Sequence, residues 1–228
     1  MRVIVTGGGG FIGSHLVDKL LSLKYEVVVV DEISNHYESN FSNEKITHFF
    51  CDIASPTILQ KIFKKGDLVM HLAAQSHVDV SYKEPNRTLL SNVIGTNNIL
   101  NACLQNEVSK LVVMSTDEVY GSVEEVNNFD SLNPTNPYSA AKAAADMVVK
   151  AFKNMYPDFN LCTLRSNNIA GPRQFIRNII PRFSCQAILR KKMTVHGDGS
   201  SRRRYLWVND FVDALVLILE KGVSGNVY

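Results

Sequence analysis

The sequence predicts an α/β fold with a doubly wound parallel sheet, followed by a partial, smaller C-terminal lobe. Short runs of mostly apolar residues alternate with helix-like segments from the first residue onward, and a glycine-rich turn separates the first run from the first helix. Apolar strands separated by helices are typical of a parallel sheet that is covered on both faces. Since the alternation loosens after Asn167, we expect one domain over residues 1–166 and the smaller lobe over residues 167–228.

The pattern places seven strands and six helices along the chain. The strands are predicted at Arg2–Thr6, Glu26–Asp31, Ile46–Phe50, Asp67–Ala73, Lys110–Ser115, Asn160–Arg165 and Met193–His196. The helices are predicted at Phe11–Leu23, Pro56–Lys64, Arg87–Gln105, Tyr138–Tyr156, Arg177–Arg190 and Asn209–Lys221. This strand–helix–strand rhythm is that of doubly wound sheets.

Composition narrows the class of protein. The chain has 228 residues, of which 45% are hydrophobic and 20% charged, with a net charge of +2. This balance does not indicate a nucleic-acid or membrane partner. The four cysteines form no CxxC pair, which argues against both a metal site and a disulfide scaffold. The N-terminus has no signal-peptide pattern, so we expect a cytoplasmic protein.

The glycine-rich turn predicts a phosphate-binding loop. Gly7, Gly10 and Gly13 lie between the first strand and the first helix, and Asp31 ends the second strand. Glycine lets the backbone approach a pyrophosphate, and the helix N-terminus offers it N–H groups. An acid at the end of the second strand accepts bonds from a ribose 2′-hydroxyl and repels a 2′-phosphate. The turn alone would also fit a flexible loop, but in this context it predicts a Rossmann-type site for NAD rather than NADP.

Two neighbouring segments, after the third and fourth strands, also concern the cofactor site. Asp52 follows the third strand, where it either contacts an adenine amino group or only caps a helix or lies in a solvated turn. His71 ends the fourth strand and is predicted to be a hydrogen-bonded, partly buried histidine rather than a catalyst. The small residues that follow, Leu72-Ala73-Ala74, would let a dinucleotide lie against the backbone.

A YxxxK pair is the first catalytic candidate. Tyr138 and Lys142 are four residues apart on a predicted helix, so both side chains share a face. A fixed cation stabilises phenolate, and we expect it to lower the phenol pKa from its usual value of about 10. Asn136-Pro137 marks the helix start just before the pair. Judged alone, the pair would fit a surface tyrosine and lysine.

An acid pair is the second candidate. Thr116, Asp117 and Glu118 leave the C-terminal end of the fifth strand, where ligands bind in open α/β sheets. Two adjacent carboxyls in different environments can provide one acid and one base. Thr116 is placed to hydrogen-bond the same hydroxyl as Tyr138. Without this context, the acids would fit a hydrophilic loop.

Taken in order, these segments resemble the extended short-chain dehydrogenases, and among them the dTDP-/UDP-glucose 4,6-dehydratases. The resemblance covers the whole chain and is carried by TGGGGFIGSHL, HLAAQSHVDVS, SNVIGTNNIL, MSTDEVYGS, TNPYSAAKAAADMVV and VHGDGSSRRRYLWVND. STDEVYG is the most specific of them, because related epimerases and decarboxylases usually lack the acid pair.

The resemblance implies NAD as cofactor and a nucleoside-diphosphate glucose as substrate. In that family's mechanism Tyr138, assisted by Lys142 and Thr116, takes the proton of the 4-hydroxyl while hydride leaves C4. Glu118 then removes the C5 proton and Asp117 donates to the departing 6-hydroxyl, which gives a 4-keto-6-deoxy sugar.

Further positions match cofactor- or substrate-contacting positions of the family. Those implied at the cofactor, besides the glycines and acids above, are Phe11, Ile12, Ile53, Leu72, Ala73, Ala74, Ser76, Ser91, Tyr138, Lys142 and Ile169. Those implied at the substrate are Ser76, Thr116, Asn168 and Arg203.

The chain departs from the family at three points. The family's usual tyrosine before Gly-Pro is Ala170 here. A lysine that the family has near the substrate is absent, and Arg177 or Arg173 would replace it. The chain ends at Tyr228, so we expect only part of the substrate lobe.

The helices Arg87–Gln105 and Tyr138–Tyr156 form a dimer interface in the family, which implies a homodimer. The alternative functions are a related nucleotide-sugar epimerase and a non-catalytic NAD-binding protein.

Overall fold

The computed structural model describes residues 1–32, 46–121, 131–195, 197–200 and 202–228. Its strands are β1 Arg2–Thr6, β2 Glu26–Asp31, β3 Thr47–Phe50, β4 Leu68–His71, β5 Lys110–Thr116, β6 Leu161–Ser166, β7 Asn168–Ala170 and β8 Tyr205–Trp207. Its helices are α1 Phe11–Ser22, α2 Pro56–Ile62, α3 Val78–Lys83, α4 Pro85–Leu89, α5 Gly95–Gln105, α6 Pro137–Met155, α7 Ile179–Ile188 and α8 Val208–Lys221. A π-helical turn at Leu90–Ile94 joins α4 to α5, and a 3₁₀ turn at Asp117–Tyr120 follows β5.

Six strands form one parallel sheet in the order β3-β2-β1-β4-β5-β6. Because every pairing is parallel, the carboxyl ends of all six strands lie at one edge. This order is that of the dinucleotide-binding doubly wound sheet. Beyond β6, Val227 bridges to Thr163 in parallel and continues the sheet by one short segment.

Apolar cores cover both faces of the sheet. On one face α1 and α8 pack against β1 and β2, with Leu16, Leu20, Phe211 and Leu215 almost completely buried. On the other face α2, α5 and α6 pack through a second buried cluster. The inner strands β1, β2 and β4 are therefore buried on both sides, which explains the continuous valine run of β2, whereas the edge strand β3 is mostly exposed.

The long helix α6 begins where the sequence predicts. Asn136 is its N-cap and accepts a hydrogen bond from the Ser139 amide at 2.8 Å. Ser139 completes a capping box by accepting from the Asn136 amide at 3.1 Å, and Pro137 occupies the first turn. This arrangement satisfies N–H groups that a helix start otherwise leaves unpaired.

Most predicted elements are confirmed, with four differences. The strand predicted at Met193–His196 is wrong for residues 193–195, which are exposed and outside any strand, while His196 lies outside the described residues. The two short strands of the lobe, β7 and β8, were not predicted and pair with each other in parallel. Helix α3 was not predicted, and the helix predicted at Arg87–Gln105 is interrupted by the π turn, which local periodicity does not reveal.

The lobe is small, and the helix that follows it packs on the first domain. Residues of α8 share the apolar core of α1 and β1, whereas none of the α7 residues is buried. The domain boundary at residue 166 stays a prediction. Among the helices of the described part of the chain, none has the length and apolarity needed to cross a membrane.

Candidate active site

The candidate site lies at the carboxyl edge of the sheet, between β1 and β4. These strands are neighbours, with Thr6 opposite His71, and the chain order of the strands reverses between them. At this switch point the loops after β1 and β4 turn to opposite faces and leave a crevice, which is where open α/β sheets bind ligands.

The glycine turn is packed so tightly that side chains are excluded. Gly7 has a φ of +71°, and a Cβ there would lie 2.7 Å from the Ala73 amide nitrogen. A Cβ on Gly13 would lie 2.1 Å from the Gly7 carbonyl oxygen. A Cβ on Gly10 would meet only that oxygen, at 3.2 Å. The turn therefore presents its backbone to the crevice at Gly10, as close approach of a pyrophosphate requires.

Helix α1 begins at this turn and has no competing cap. Its N-cap residue is Gly10, which has no side chain to bond the first N–H groups, and no acid lies in the first turn. Phe11 and Ile12 are the first residues of the helix. The positive end of the helix dipole therefore points at the crevice.

Asp31 is held against the same turn. Its Oδ2 accepts a hydrogen bond from the Gly9 amide at 2.7 Å. Burial raises the pKa of Asp31 to about 6, against the lowering effect of the Gly9 bond, and the charge of Glu32 adds to the rise. A carboxylate in this position has remaining lone pairs for sugar hydroxyls.

A buried polar chain supports the floor of the crevice. Thr6 Oγ1 lies 2.7 Å from His71 Nδ1, and His71 Nε2 lies 3.0 Å from Thr96 Oγ1. Because the Thr96 hydroxyl donates to the Asn92 carbonyl at 2.7 Å, it accepts from His71, which places the imidazole proton on Nε2. Burial, assisted by the charge of Lys142, lowers the pKa of His71 to about 3. His71 is thus a neutral, hydrogen-bonded histidine, as predicted.

The same chain orders the loop after β4. Asn92, on the π turn, accepts from the Gln75 amide at 2.8 Å and donates to the Gln75 carbonyl at 3.0 Å. The Ala73 amide donates to Thr6 Oγ1 at 3.2 Å. Ser76 and Ser91 flank the Asn92–Gln75 contact in sequence. The loop that contains Leu72, Ala73 and Ala74 is therefore fixed beside the glycine turn.

Asp52 and Ile53 lie on the loop after β3, next to the end of β2. The Cys51 amide donates to the Asp31 carbonyl at 3.0 Å. The exposed Asp52 carboxylate accepts from the Ala54 amide at 2.8 Å, so it forms the turn that was one of its two predicted roles. Ile53 is buried under Gly95, where a Cβ would lie 2.6 Å from Ile53 Cδ1. The contact of Asp52 with adenine stays a prediction.

Tyr138 and Lys142 share the inner face of α6. Lys142 is only 5% exposed, and its ammonium donates to the Met114 carbonyl on β5 at 2.7 Å. Burial lowers the pKa of Lys142, and the Asp146 carboxylate counteracts this shift.

The phenol does not have the lowered pKa that its spacing from Lys142 predicts. Burial, followed by the charge of Glu118, raises the pKa of Tyr138, and its hydrogen bond with Thr116 only partly offsets this. The expectation fails because the phenol is buried and lies near carboxylates, while the Lys142 ammonium bonds a backbone carbonyl.

The acid pair faces Tyr138 from the 3₁₀ turn after β5. Thr116 Oγ1 accepts from the Glu118 amide at 3.2 Å and lies 3.3 Å from Asp117 Oδ1. Burial raises the pKa of Asp117, the charge of Glu118 raises it further, and the Thr116 hydrogen bond and Arg203 oppose the rise. Asn136 Nδ2 donates to Glu118 Oε2 at 3.2 Å. The two carboxyls thus have different surroundings, as an acid and a base require.

The lobe contributes positive charge and backbone to the same edge. The charge of Arg203, which is exposed, reaches Asp117. Asn168 begins β7, and the Ile169 carbonyl accepts from Gln174 Nε2 at 2.9 Å. Of the two arginines that were left open, Arg173 pairs with Asp18 on α1 at 2.8 Å. Arg177 instead lies over the Phe175 ring, and that ring contacts His77 beside the crevice.

The structure therefore brings together the predicted Tyr–Lys pair and the predicted acid pair. The sequence analysis missed three residues that hold parts of the site in place. Tyr138, Lys142, Thr116, Asp117 and Glu118 converge at the end of β5, at the same carboxyl edge of the sheet as the glycine turn and Asp31. The missed residues are Asn92, Asn136 as a partner of Glu118, and Asp146. Asp146 follows Lys142 by one helical turn, and an acid at that spacing in an alanine-rich helix was an available signal. In the part of the chain that the structure describes, no group of three or more His, Cys, Asp or Glu is placed to hold a metal ion.

This combination of a glycine turn on a doubly wound sheet with a Tyr–Lys pair defines a dinucleotide-binding α/β protein. The chain belongs to the NAD dependent epimerase/dehydratase family, whose sequence pattern matches residues 3–228.

Within this family, the chain is similar to proteins named as 4,6-dehydratases. The chain is 39% identical to the dTDP-D-glucose 4,6-dehydratase of Dictyostelium discoideum, over all of this chain and 57% of that protein. It is 36% identical to the trifunctional UDP-glucose 4,6-dehydratase RHM2 of Arabidopsis thaliana, over 36% of that protein. The chain thus spans between about a third and somewhat over half of the length of these relatives.

Solved structures of a 4,6-dehydratase and of a 4-epimerase have the same fold as this chain. The dTDP-glucose 4,6-dehydratase DesIV of Streptomyces venezuelae, with NAD and TYD bound, matches with a TM-score of 0.93 and 32% identity, over all of this chain and 74% of that one. The UDP-glucose 4-epimerase of Thermotoga maritima, with UDP-glucose, matches with a TM-score of 0.91 and 32% identity, over all of this chain and 76% of that one.

Proposed function

We propose that this chain binds NAD and carries the catalytic groups of a nucleotide-sugar 4,6-dehydratase. Its substrate is a nucleoside-diphosphate glucose, dTDP- or UDP-glucose, and its product the 4-keto-6-deoxy sugar nucleotide. The observation that carries the proposal is the convergence of Asp117 and Glu118 on Tyr138 at the end of β5. The 4,6-dehydratases among the relatives support it.

The residues at the crevice fit NAD. The backbone at Gly10 and the uncapped N-terminus of α1 suit the pyrophosphate. Asp31 suits the adenosine ribose, since one of its oxygens already accepts from Gly9 and the other is left for a hydroxyl. Thr6, His71 and Asn92 fix the loop against which the dinucleotide would lie. Bound NAD would supply the hydride acceptor for C4 and return that hydride at C6.

The remaining chemistry belongs to side chains of the chain. Tyr138 takes the proton of the 4-hydroxyl through its phenol oxygen, which Thr116 orients. Because burial and nearby carboxylates raise the pKa of Tyr138, the phenolate depends on positive charge close to it, and Lys142 is the nearest fixed cation on the same helix face. Oxidation at C4 makes the neighbouring C5 proton acidic.

The acid pair performs the elimination of water. Glu118 takes the C5 proton, and its carboxylate is held for this by Asn136. Asp117, whose pKa is raised by burial, gives a proton to the departing 6-hydroxyl. One proton is thus removed and one donated, and water leaves across C5 and C6. An epimerase needs neither proton transfer, so this pair favours dehydration over the epimerase alternative.

The test incubates the purified chain with NAD and each of the two glucose nucleotides, and repeats the assay with two variants. We expect the wild-type chain to form a product with the alkali absorbance of a 4-keto-6-deoxy sugar. Tyr138→Phe should abolish both oxidation and product. Asp117→Asn should lower kcat by about 10²- to 10⁴-fold, the typical contribution of general acid catalysis, while cofactor binding persists. Inversion at C4 with no loss of the 6-hydroxyl would favour the epimerase, and NAD binding without turnover would favour the non-catalytic alternative.

We also propose that the protein is a homodimer in the cytoplasm. Exposed apolar side chains on two elements that contact each other support the dimer: Leu90 and Ile94 on the π turn, and Met147 and Met155 on α6. The cysteines of the described residues are all free thiols, which suits a reducing compartment. Sedimentation at the mass of one chain would contradict the dimer.

A further inference from the structure

A buried ion pair connects the catalytic helix to the neighbouring strand. Arg165, on β6, donates from Nε to Asp146 Oδ2 at 2.8 Å. The Arg165 side chain is 8% exposed and the Asp146 side chain 3%. Asp146 follows Tyr138 and Lys142 at successive four-residue intervals, so all three lie on one face of α6.

The same guanidinium reaches the turn that carries the acid pair. Arg165 donates from Nη1 to the Tyr120 hydroxyl at 2.7 Å, and its Cζ lies 5.1 Å from the centre of that ring. Tyr120 is 5% exposed and ends the 3₁₀ turn Asp117–Tyr120. Arg165 therefore contacts both the helix that holds Tyr138 and the turn that holds Glu118.

The turn is attached to α6 at both of its ends. At its beginning, Asn136 at the helix N-cap bonds Glu118. At its end, Tyr120 is joined through Arg165 to Asp146, ten residues further along the helix, which is about 15 Å at 1.5 Å per residue. Two attachments this far apart fix the orientation of the turn as well as its distance from the helix.

Stability alone is a weak explanation for this arrangement. Removing two charges from water has a cost that their attraction often does not exceed, and the better-attested use of a buried pair is to specify one geometry. A guanidinium that donates to two partners suits such a task, because its donors are held in a rigid plane.

We propose that Arg165 is a positioning residue that sets the acid pair relative to the Tyr138–Lys142 pair. It acts through the Tyr120 hydroxyl on one side and Asp146 on the other. Its loss slows the dehydration of the sugar more than the oxidation that precedes it. This inference rests on the proposed function for its effect on turnover, but the attachment itself can be tested without substrate.

The first test uses Tyr120→Phe, which removes one hydroxyl and keeps the ring. Misplacing a catalytic group by about 1 Å costs about 10²-fold in rate, so we expect kcat to fall by about 10- to 100-fold with the substrate KM changed by less than about twofold. Reduced cofactor should accumulate during turnover, since oxidation continues while dehydration is slow. Tyr25→Phe is the matched control, because it removes a tyrosine hydroxyl that bonds Glu220 at the exposed surface. A kcat equal to that of the control, or a fall explained by loss of NAD binding, would overturn the proposal.

The second test is independent of activity. Hydrogen exchange of the amides of residues 116–121 should become faster in Tyr120→Phe and in Arg165→Lys, which keeps the charge but not the fork, while exchange in α1 stays unchanged. Unchanged exchange in residues 116–121 would overturn the attachment. A wild-type chain that does not turn over either glucose nucleotide would contradict only the proposed function. The hydrogen-exchange result would still decide whether Arg165 holds the turn.

Discussion

Asp31 gives the sharpest link between the cofactor site and stability. Its carboxyl is buried against the glycine turn and accepts from the Gly9 amide at 2.7 Å. Burial raises its pKa from an ordinary 3.8 to about 6. The folded protein therefore disfavours the ionised carboxylate, and hydrogen bonds from a bound ribose would stabilise that form. The substitution Asp31→Asn removes the titrating group and keeps an oxygen that can accept the Gly9 bond.

The sign of the pH effect follows from the raised pKa. The folded protein binds this proton more tightly than the unfolded chain, so its contribution to stability is complete below about pH 3.8 and disappears as pH rises through about 6. The full contribution is about 3 kcal/mol, from about 2.2 units at about 1.4 kcal/mol each. Between pH 5 and pH 8, the accessible part is about 1.4 kcal/mol.

Urea unfolding of both proteins across this range measures the effect. The free energy of unfolding of the wild type, minus that of Asp31→Asn, should fall by about 1.4 kcal/mol between pH 5 and pH 8. Asp213→Asn, on the exposed surface of α8, controls for the loss of one negative charge. The variant should also bind NAD about tenfold more weakly, since a charged acceptor bonds a hydroxyl about twice as strongly as a neutral one. A stability difference that is constant with pH would refute the argument.

Two further predictions concern packing. Gly13→Ala places a Cβ 2.1 Å from the Gly7 carbonyl oxygen, so the turn must move. We expect the NAD affinity, measured by calorimetry, to fall by about tenfold or more, which is about 1.4 kcal/mol. An unchanged affinity would contradict the packing of the turn. Leu215→Ala removes a fully buried side chain of α8 and should lower the free energy of unfolding by about 2–5 kcal/mol; a cost below about 1 kcal/mol would show that α8 is not part of the first domain's core.

The sequence alone determines the sheet, the helices that cover it and the place of the glycine turn. These follow from local rules: apolar runs of strand length, the Asn136-Pro137 helix start, and glycines where strand gives way to helix. Their period and order are written along the chain, and neighbours in sequence decide them. The lobe is the exception, because its short strands have no strong period, and the strand expected at Met193–His196 is replaced by β8 at Tyr205–Trp207.

Tertiary structure alone decides the electrostatic state of the site. The spacing of Tyr138 and Lys142 predicts a lowered phenol pKa. The folded chain instead buries the phenol near carboxylates and bonds the ammonium to the Met114 carbonyl, so the pKa of Tyr138 is raised. The link from Asp146 through Arg165 to Tyr120 joins three elements that are far apart in sequence. A pKa depends on burial and on every charge within a few ångströms, and those neighbours are chosen by the fold rather than by sequence spacing.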